Sequence, residues 1–200
     1  MDLKIKSYSG SAIESCLTEA ATVLSEVFME FPYLYCGDVE YEKEYLNPFL
    51  NCPDSVLFAA YDQGKIVGVT TAIPLEQEDE CFYKPLQEIG HDPRHLMYFG
   101  DSVLKKDYRG HGIGRKFFQL REDFARSLKG RTHACFCRVI RDAHDPRRPE
   151  DYVPLDDMWQ KFGYRRLDGV ETSYPWADIG EAAPTEKTLE YWMGALNREP

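Results

Sequence analysis

Residues 95–130, HLMYFGDSVLKKDYRGHGIGRKFFQLREDFARSLKG, change hydrophobic period part-way along, and that change constrains the fold more than any other feature. Leu96, Met97, Tyr98, Phe99, Val103 and Leu104 make an apolar run, interrupted by Gly100-Asp101-Ser102, whose length suits a central strand covered on both faces. From Ile113 the spacing becomes four, three, four and four through Phe117, Leu120, Phe124 and Leu128, which places these residues on one helical face. Gly130 supplies a stop.

Between strand and helix stands Arg109-Gly110-His111-Gly112-Ile113-Gly114, with three glycines in five positions. Without side chains in the way, the N–H groups that open the helix can approach an anion, and the helix dipole favours negative charge there. The implied ligand carries phosphate. Two other phosphate loops fail on spacing. G-x-G-x-x-G needs glycine at Arg115 or at Phe117, depending on where it starts, and the P-loop pattern needs glycine at Arg115.

The flanking segments follow the same alternation of periods. LKIKSY, residues 3–8, alternates as a half-buried strand; Ser11-x-x-Glu14 is a capping box, leading into a helix through Ile13, Leu17, Leu24 and Phe28. A second, acidic helix is expected over 39–50, and 55–61 with 65–73 reads as a hairpin around Asp62-Gln63-Gly64. Helix potential returns at 78–88, strand at 133–140, a short helix at 155–162, a strand at 172–176 and a terminal helix at about 185–197 carrying Leu189, Trp192 and Met193. That terminal segment has two partners open to it, the body of the same chain or a second copy in a homodimer. Residues 140–154 form a long polar loop with charges of both signs, including Arg141, suited to a carboxylate, an amine or neither; residues 141–152 are expected to cover the acceptor end of a pocket.

With 43% hydrophobic residues and no linker or internal repeat, a single domain over 1–200 is expected. A formal charge of -10 argues against nucleic acid as a partner. No apolar run is long enough to span a membrane and the N-terminus lacks a signal-peptide core, so no membrane and a cytoplasmic location are expected. The six cysteines lack C-x-x-C spacing and the five histidines lack ligand spacing, which leaves reduced thiols and no metal.

Arg109-x-x-Gly112-x-Gly114 after a strand and opening a helix resembles the pyrophosphate turn of the GNAT acetyltransferase superfamily, and the element order over about 55–165, extending back toward residue 3, is similar too. The resemblance implies an α/β fold with a mixed, mostly antiparallel V-shaped sheet flanked by helices and acetyl-CoA as cosubstrate in its splay. Ser102, Val103 and Leu104 would hold the pantetheine arm, and Arg109, Gly110, His111, Gly112, Ile113, Gly114 and Arg115 the pyrophosphate. It further implies acetyl transfer to a primary amine of a small molecule or peptide. The acceptor wall would be aromatic, with Phe31, Tyr33, Tyr35 and Tyr41 as candidates and Tyr33, Tyr35 and Arg141 as the substrate-binding set.

Two positions depart from the family pattern. The phenol that protonates the departing thiolate falls on Trp159, which makes Tyr152 the catalytic candidate, with Tyr164 as the other nearby phenol. The acidic base falls on Gly100, so Asp101 takes that role if a bulge or splay turns it inward. Asp101 is the only carboxylate in the run from Leu96 to Leu104, and a buried Asp needs a partner or a purpose; an arginine such as Arg138 is the structural alternative. Two rival functions stand beside the transferase: a catalytically weak acyl-CoA-binding sensor or interaction module, and a hydrolase using Cys135 or Cys137.

Overall fold

The computed structural model describes residues 3–197. In chain order the elements are β1 (Lys4–Tyr8), α1 (Leu17–Phe28), α2 (Val39–Tyr45), α3 (Asn47–Asn51), β2 (Val56–Asp62), β3 (Lys65–Pro74), α4 (Glu80–Glu88), β4 (Leu96–Tyr98), β5 (Ser102–Leu104), α5 (Ile113–Ser127), β6 (His133–Val139), α6 (Asp156–Lys161), β7 (Arg165–Trp176) and β8 (Thr185–Ala195). The strands run β1-β2-β3-β4-β6-β8-β7, with β5 also paired to β3. All pairings are antiparallel except β4 with β6.

Alternation along the strands feeds two cores. Leu57 and Ala59 of β2 join Ala20, Val23, Leu24 and Phe28 of α1, whereas Val56, Phe58 and Ala60 join Ile113, Phe117, Phe118 and Ala125 of α5. The buried face of α5 also carries Arg121 and Glu122, so it lies to one side of the stripe read from the sequence; Leu120, Phe124 and Leu128 are only half-buried.

The apolar run 96–104 is divided between two strands. β4 lies between β3 and β6, and Phe99 N–H still donates to Cys135 O at 2.8 Å; β5 pairs with β3 alone. Across the gap the side-chain parity changes. Met97 and Phe99 face α5, but Val103, which simple alternation would put beside them, faces α1. Tandem threonines pin the irregularity: Thr71 N–H and Thr70 Oγ1 donate to Asp101 O, each at 3.0 Å, and Asp101 N–H donates to Thr71 Oγ1 at 3.0 Å.

Three expectations are corrected. The expected C-terminal helix over 185–197 is β8, an interior strand between β6 and β7. Leu189, Tyr191 and Met193 enter the α1-side core while Trp192 enters the α5-side core, so Leu189, Trp192 and Met193 belong to two sheet faces rather than one helical stripe. This segment is thereby docked on its own chain. The capping box does not form: Ser11 and Glu14 are exposed, Gly10–Cys16 is a 3-10 segment, and α1 starts only at Leu17. The single helix expected over 39–50 breaks at Leu46, where Pro48 opens α3.

Candidate active site

Gly112 caps α5 with φ 80°, a left-handed conformation that favours glycine, and no side chain caps the first turn. The N–H groups of Ile113, Gly114 and Arg115 therefore have no intrahelical acceptor. A Cβ at Gly110, Gly112 or Gly114 would meet no atom within 4 Å, so the turn is open and suits a phosphate approaching the backbone. His111, Arg115 and Lys116 are exposed beside it. Arg109 is already engaged: its Nε donates to Leu104 O at 2.9 Å and its Nη1 to Glu30 of α1 at 2.7 Å.

β5 leads from this turn to Asp101. Since Thr71 N–H bonds Asp101 O and Lys105 N–H bonds Val67 O, residues 101, 103 and 105 face β3 through their backbone. Ser102 and Leu104 present theirs to the splay between β5 and β6, where Arg109 occupies the Leu104 carbonyl. Val103 itself points its side chain into the α1-side core.

Gly100 cannot carry the acid that its position suggests. A Cβ there would lie 2.6 Å from Thr71 Oγ1 and 3.3 Å from Phe49. The change of parity turns Asp101 toward the α1 side instead, where it lines a cavity of about 110 Å³. The Tyr45 phenol lines the same cavity, and the Asp101 Oδ2 is buried with no hydrogen-bond partner. Burial pushes Asp101 up to about 7, against the opposing pull of Tyr45 and of the Arg121 charge. That arginine is buried over the Phe99 ring at 4.7 Å and forms no ion pair with Asp101; neither does Arg138, which pairs with Asp156 and Glu190 at 2.6 Å each.

Rings from distant parts of the chain enclose the cavity: Phe28, Tyr33, Tyr35, Tyr41 and Tyr45 from the first third, Phe82 and Tyr98 from the middle, Tyr174 and Trp176 from β7. Glu42 lines it as well, and Glu78 is buried within electrostatic reach of Asp101. Burial first, then the Asp101 charge, raises Glu42 to about 8 and Glu78 to about 7. Sequence reasoning missed Glu78 as a site residue, and left the helix carrying Glu42 and Tyr45 open between a solvated cover and a wall of the acceptor pocket. Glu42 was detectable, because Glu42, Tyr45, Leu46 and Phe49 share helical spacing and make the inward stripe of α2 and α3. Glu78 sits in an acidic stretch that offers no such signal.

Of the three residues expected to bind substrate, Tyr33 and Tyr35 line the cavity and Arg141 does not. Arg141 donates to Pro32 O and Tyr33 O at 2.6 Å each and to both oxygens of the buried Asp178 at 2.7 and 2.9 Å, so its guanidinium fastens the wall carrying Tyr33. Arg147 adds a 2.9 Å bond from the long loop to the same carboxylate. Tyr152 packs edge-on against Phe31, with ring centroids 4.7 Å apart, and has Arg148 over its ring at 5.0 Å, outside the cavity lining. Burial raises its phenol, so it keeps its proton at neutral pH. Trp159 packs between Phe136 and Trp192, and Tyr164 is fully buried against Phe118 in the α5-side core. Burial also pushes the Cys135 and Cys137 thiols up, away from the thiolate a cysteine hydrolase needs. A roomier surface depression near Glu76, Tyr83 and Gly90–Arg94 shares none of these residues.

A model of the acetyltransferase (GNAT) family matches residues 22–148. The chain belongs to that family. No curated relative matches it. Among solved structures it resembles NAA60 from Arabidopsis thaliana in complex with acetyl-CoA, with a TM-score of 0.62 at 14% identity over 98% of this chain and 99% of the other. It also resembles ribosomal-protein-alanine N-acetyltransferase from Brucella melitensis, with a TM-score of 0.61 at 14% identity over 96% and 99%. PH1933 from Pyrococcus horikoshii gives 0.61 at 16% over 98% and 100%. At such identities the likeness is one of GNAT fold. Among the described residues no helix is long and apolar enough to cross a membrane, and no three His, Cys, Asp or Glu side chains are grouped to hold a metal ion.

Proposed function

We propose that this protein transfers an acetyl group from acetyl-CoA to the primary amine of a small molecule or peptide. The observation that carries the proposal is the unpaired edge of β5, with an uncapped glycine turn beyond one end and the half-buried carboxylate of Asp101, its Oδ2 enclosed, at the other. Three strand residues span about 10 Å, a separation suited to an elongated ligand with phosphate at one end and its reacting group at the other. Ser102 and Leu104 offer backbone to the arm, and residues 111–115 offer N–H groups to the pyrophosphate. The cytosolic setting expected from the sequence accompanies this reading.

Acetyl-CoA supplies an activated thioester: the amine nitrogen bonds to the carbonyl carbon, the carbon–sulfur bond breaks, and the sulfur leaves as a thiolate. An alkylammonium cannot attack until it loses a proton, and Asp101, held near pH 7, accepts it directly or through one water. Tyr152, which keeps its own proton, or a water supplies the one that completes the thiol, and it is reprotonated by the second proton that the nitrogen sheds as the amide forms. Thiol release measured with a panel of amines, with the acetylated product identified by mass spectrometry, tests the proposal. Absence of turnover would sink it. A second reading is favoured by Gly100 and Trp159, which leave two of the family's usual acid–base positions without chemistry: an acyl-CoA-binding sensor. Tight acetyl-CoA binding by calorimetry without thiol release from any amine would select that alternative.

A further inference from the structure

Resting on the transferase reading, we infer that the acceptor is a primary amine with an aromatic body and no carboxylate, an arylalkylamine in chemical class. The cavity beside Asp101 carries the features such a molecule needs. Its walls are rings already arranged in pairs: Tyr33 with Trp176 at 6.2 Å, Tyr35 with Tyr41 at 5.9 Å, and Phe82 stacked on Tyr174 at 5.6 Å. Such walls accept a flat apolar group, and their faces attract a cation.

Polarity is concentrated at one end. Glu42 and Asp101 line the same small space, with Asp101 Oδ2 buried and unpartnered. An ammonium entering between them supplies the missing hydrogen-bond donor and favours the charged form of the neighbouring acids.

Positive charge, by contrast, is missing from the lining. Among the described residues no Lys, Arg or His contributes to the cavity surface. Two cations stand by Trp176, Arg141 at 5.9 Å and Lys187 at 6.0 Å from its ring, but both are committed elsewhere. Arg141 is held by Asp178, Pro32 O and Tyr33 O; Lys187 is held by Glu181, Thr185 and Asp178. Arg121 lies on the α5 side, over Phe99 and Phe118. A substrate carboxylate would therefore be desolvated without a counter-charge and beside two acids, which selects against free amino acids by on the order of 10²-fold or more.

The experiment compares 2-phenylethylamine with phenylalanine, which shares its ring and amine but adds the carboxylate, and with spermidine, which lacks the ring. Binding is read without turnover from quenching of intrinsic fluorescence, and turnover from thiol release. 2-Phenylethylamine is expected to bind and react at least roughly 10²-fold better than phenylalanine, and better than spermidine. Glu42→Gln is expected to raise its KM about 10-fold while leaving acetyl-CoA affinity unchanged. Equal use of phenylalanine, preference for spermidine, or no binding of 2-phenylethylamine would overturn the inference. Selective binding of 2-phenylethylamine without acetylation of any amine would instead overturn the transferase reading and leave the pocket assignment standing.

Discussion

The glycine turn and the aromatic cavity sit at opposite ends of β5 and are built by opposite means. The turn is six consecutive residues, 109–114, of which 109–112 are exposed, and it is defined by backbone groups left uncapped. The cavity gathers side chains from residue 28 to residue 189, opens to solvent beside Tyr41, and depends on charges and rings brought together by the sheet. A local device keeps its geometry wherever a strand meets a helix. A non-local one lasts only while its distant walls are held, and here the Arg141–Asp178 pair does much of the holding.

The largest effect should come from removing that clamp. Arg141→Met leaves Asp178 buried with Arg147 and Lys187 as remaining partners, so a loss of about 3 kcal/mol is expected, toward the low end for a broken buried pair. In a chain of this size that lowers Tm by roughly 6–12 °C. Acetyl-CoA affinity, measured well below Tm, should stay the same. An unchanged Tm with a steep rise in amine KM would return Arg141 to substrate contact.

Next is Asp101→Asn, which keeps the shape and removes the base. Turnover should fall roughly 10²-fold or more with coenzyme affinity intact. In the wild type, kcat/KM should rise with pH through about 7 as Asp101 loses its proton, and the variant should lack that limb. A shared limb in both proteins would remove Asp101 from the chemistry.

The turn is tested by Gly114→Trp, at a glycine whose φ lies outside the left-handed region, so the substitution fills open space without straining the backbone. Acetyl-CoA binding should weaken at least about 10-fold, and fluorescence-detected amine binding should not change. Equal losses in both would mean that the two regions are coupled.

The smallest effect separates the regions by pH. Glu42, raised to about 8 by burial and Asp101, faces Asp101 and Tyr35 in the cavity; because its folded pKa exceeds the unfolded value, its contribution to stability is full below about pH 4 and is lost as pH rises through 8. Glu42→Gln should therefore gain Tm over the wild type between pH 5 and pH 9, by roughly 2 °C or more, the shift produced by about 1 kcal/mol. A difference independent of pH would show that Glu42 carries no proton-linked penalty.

Sequence by itself determined what depends on neighbours along the chain. The Arg109–Gly114 turn, the hairpin of β2 and β3 and the course of α5 all rest on local period and turn chemistry, and they appear where the residues call for them. Tertiary structure decided the rest. Leu189, Trp192 and Met193 fit a helix by spacing and became a strand because β6 and β7 offered ladders on both edges. Asp101 could be read as pointing either way until the gap between β4 and β5 shifted its parity, and Glu42 fitted a solvated cover or a pocket wall equally until α2 packed its side chain inward. A side chain's charge and shape are written in the chain, but its burial and its partners belong to segments far away in sequence, and those set the pKa values and the lining of the cavity.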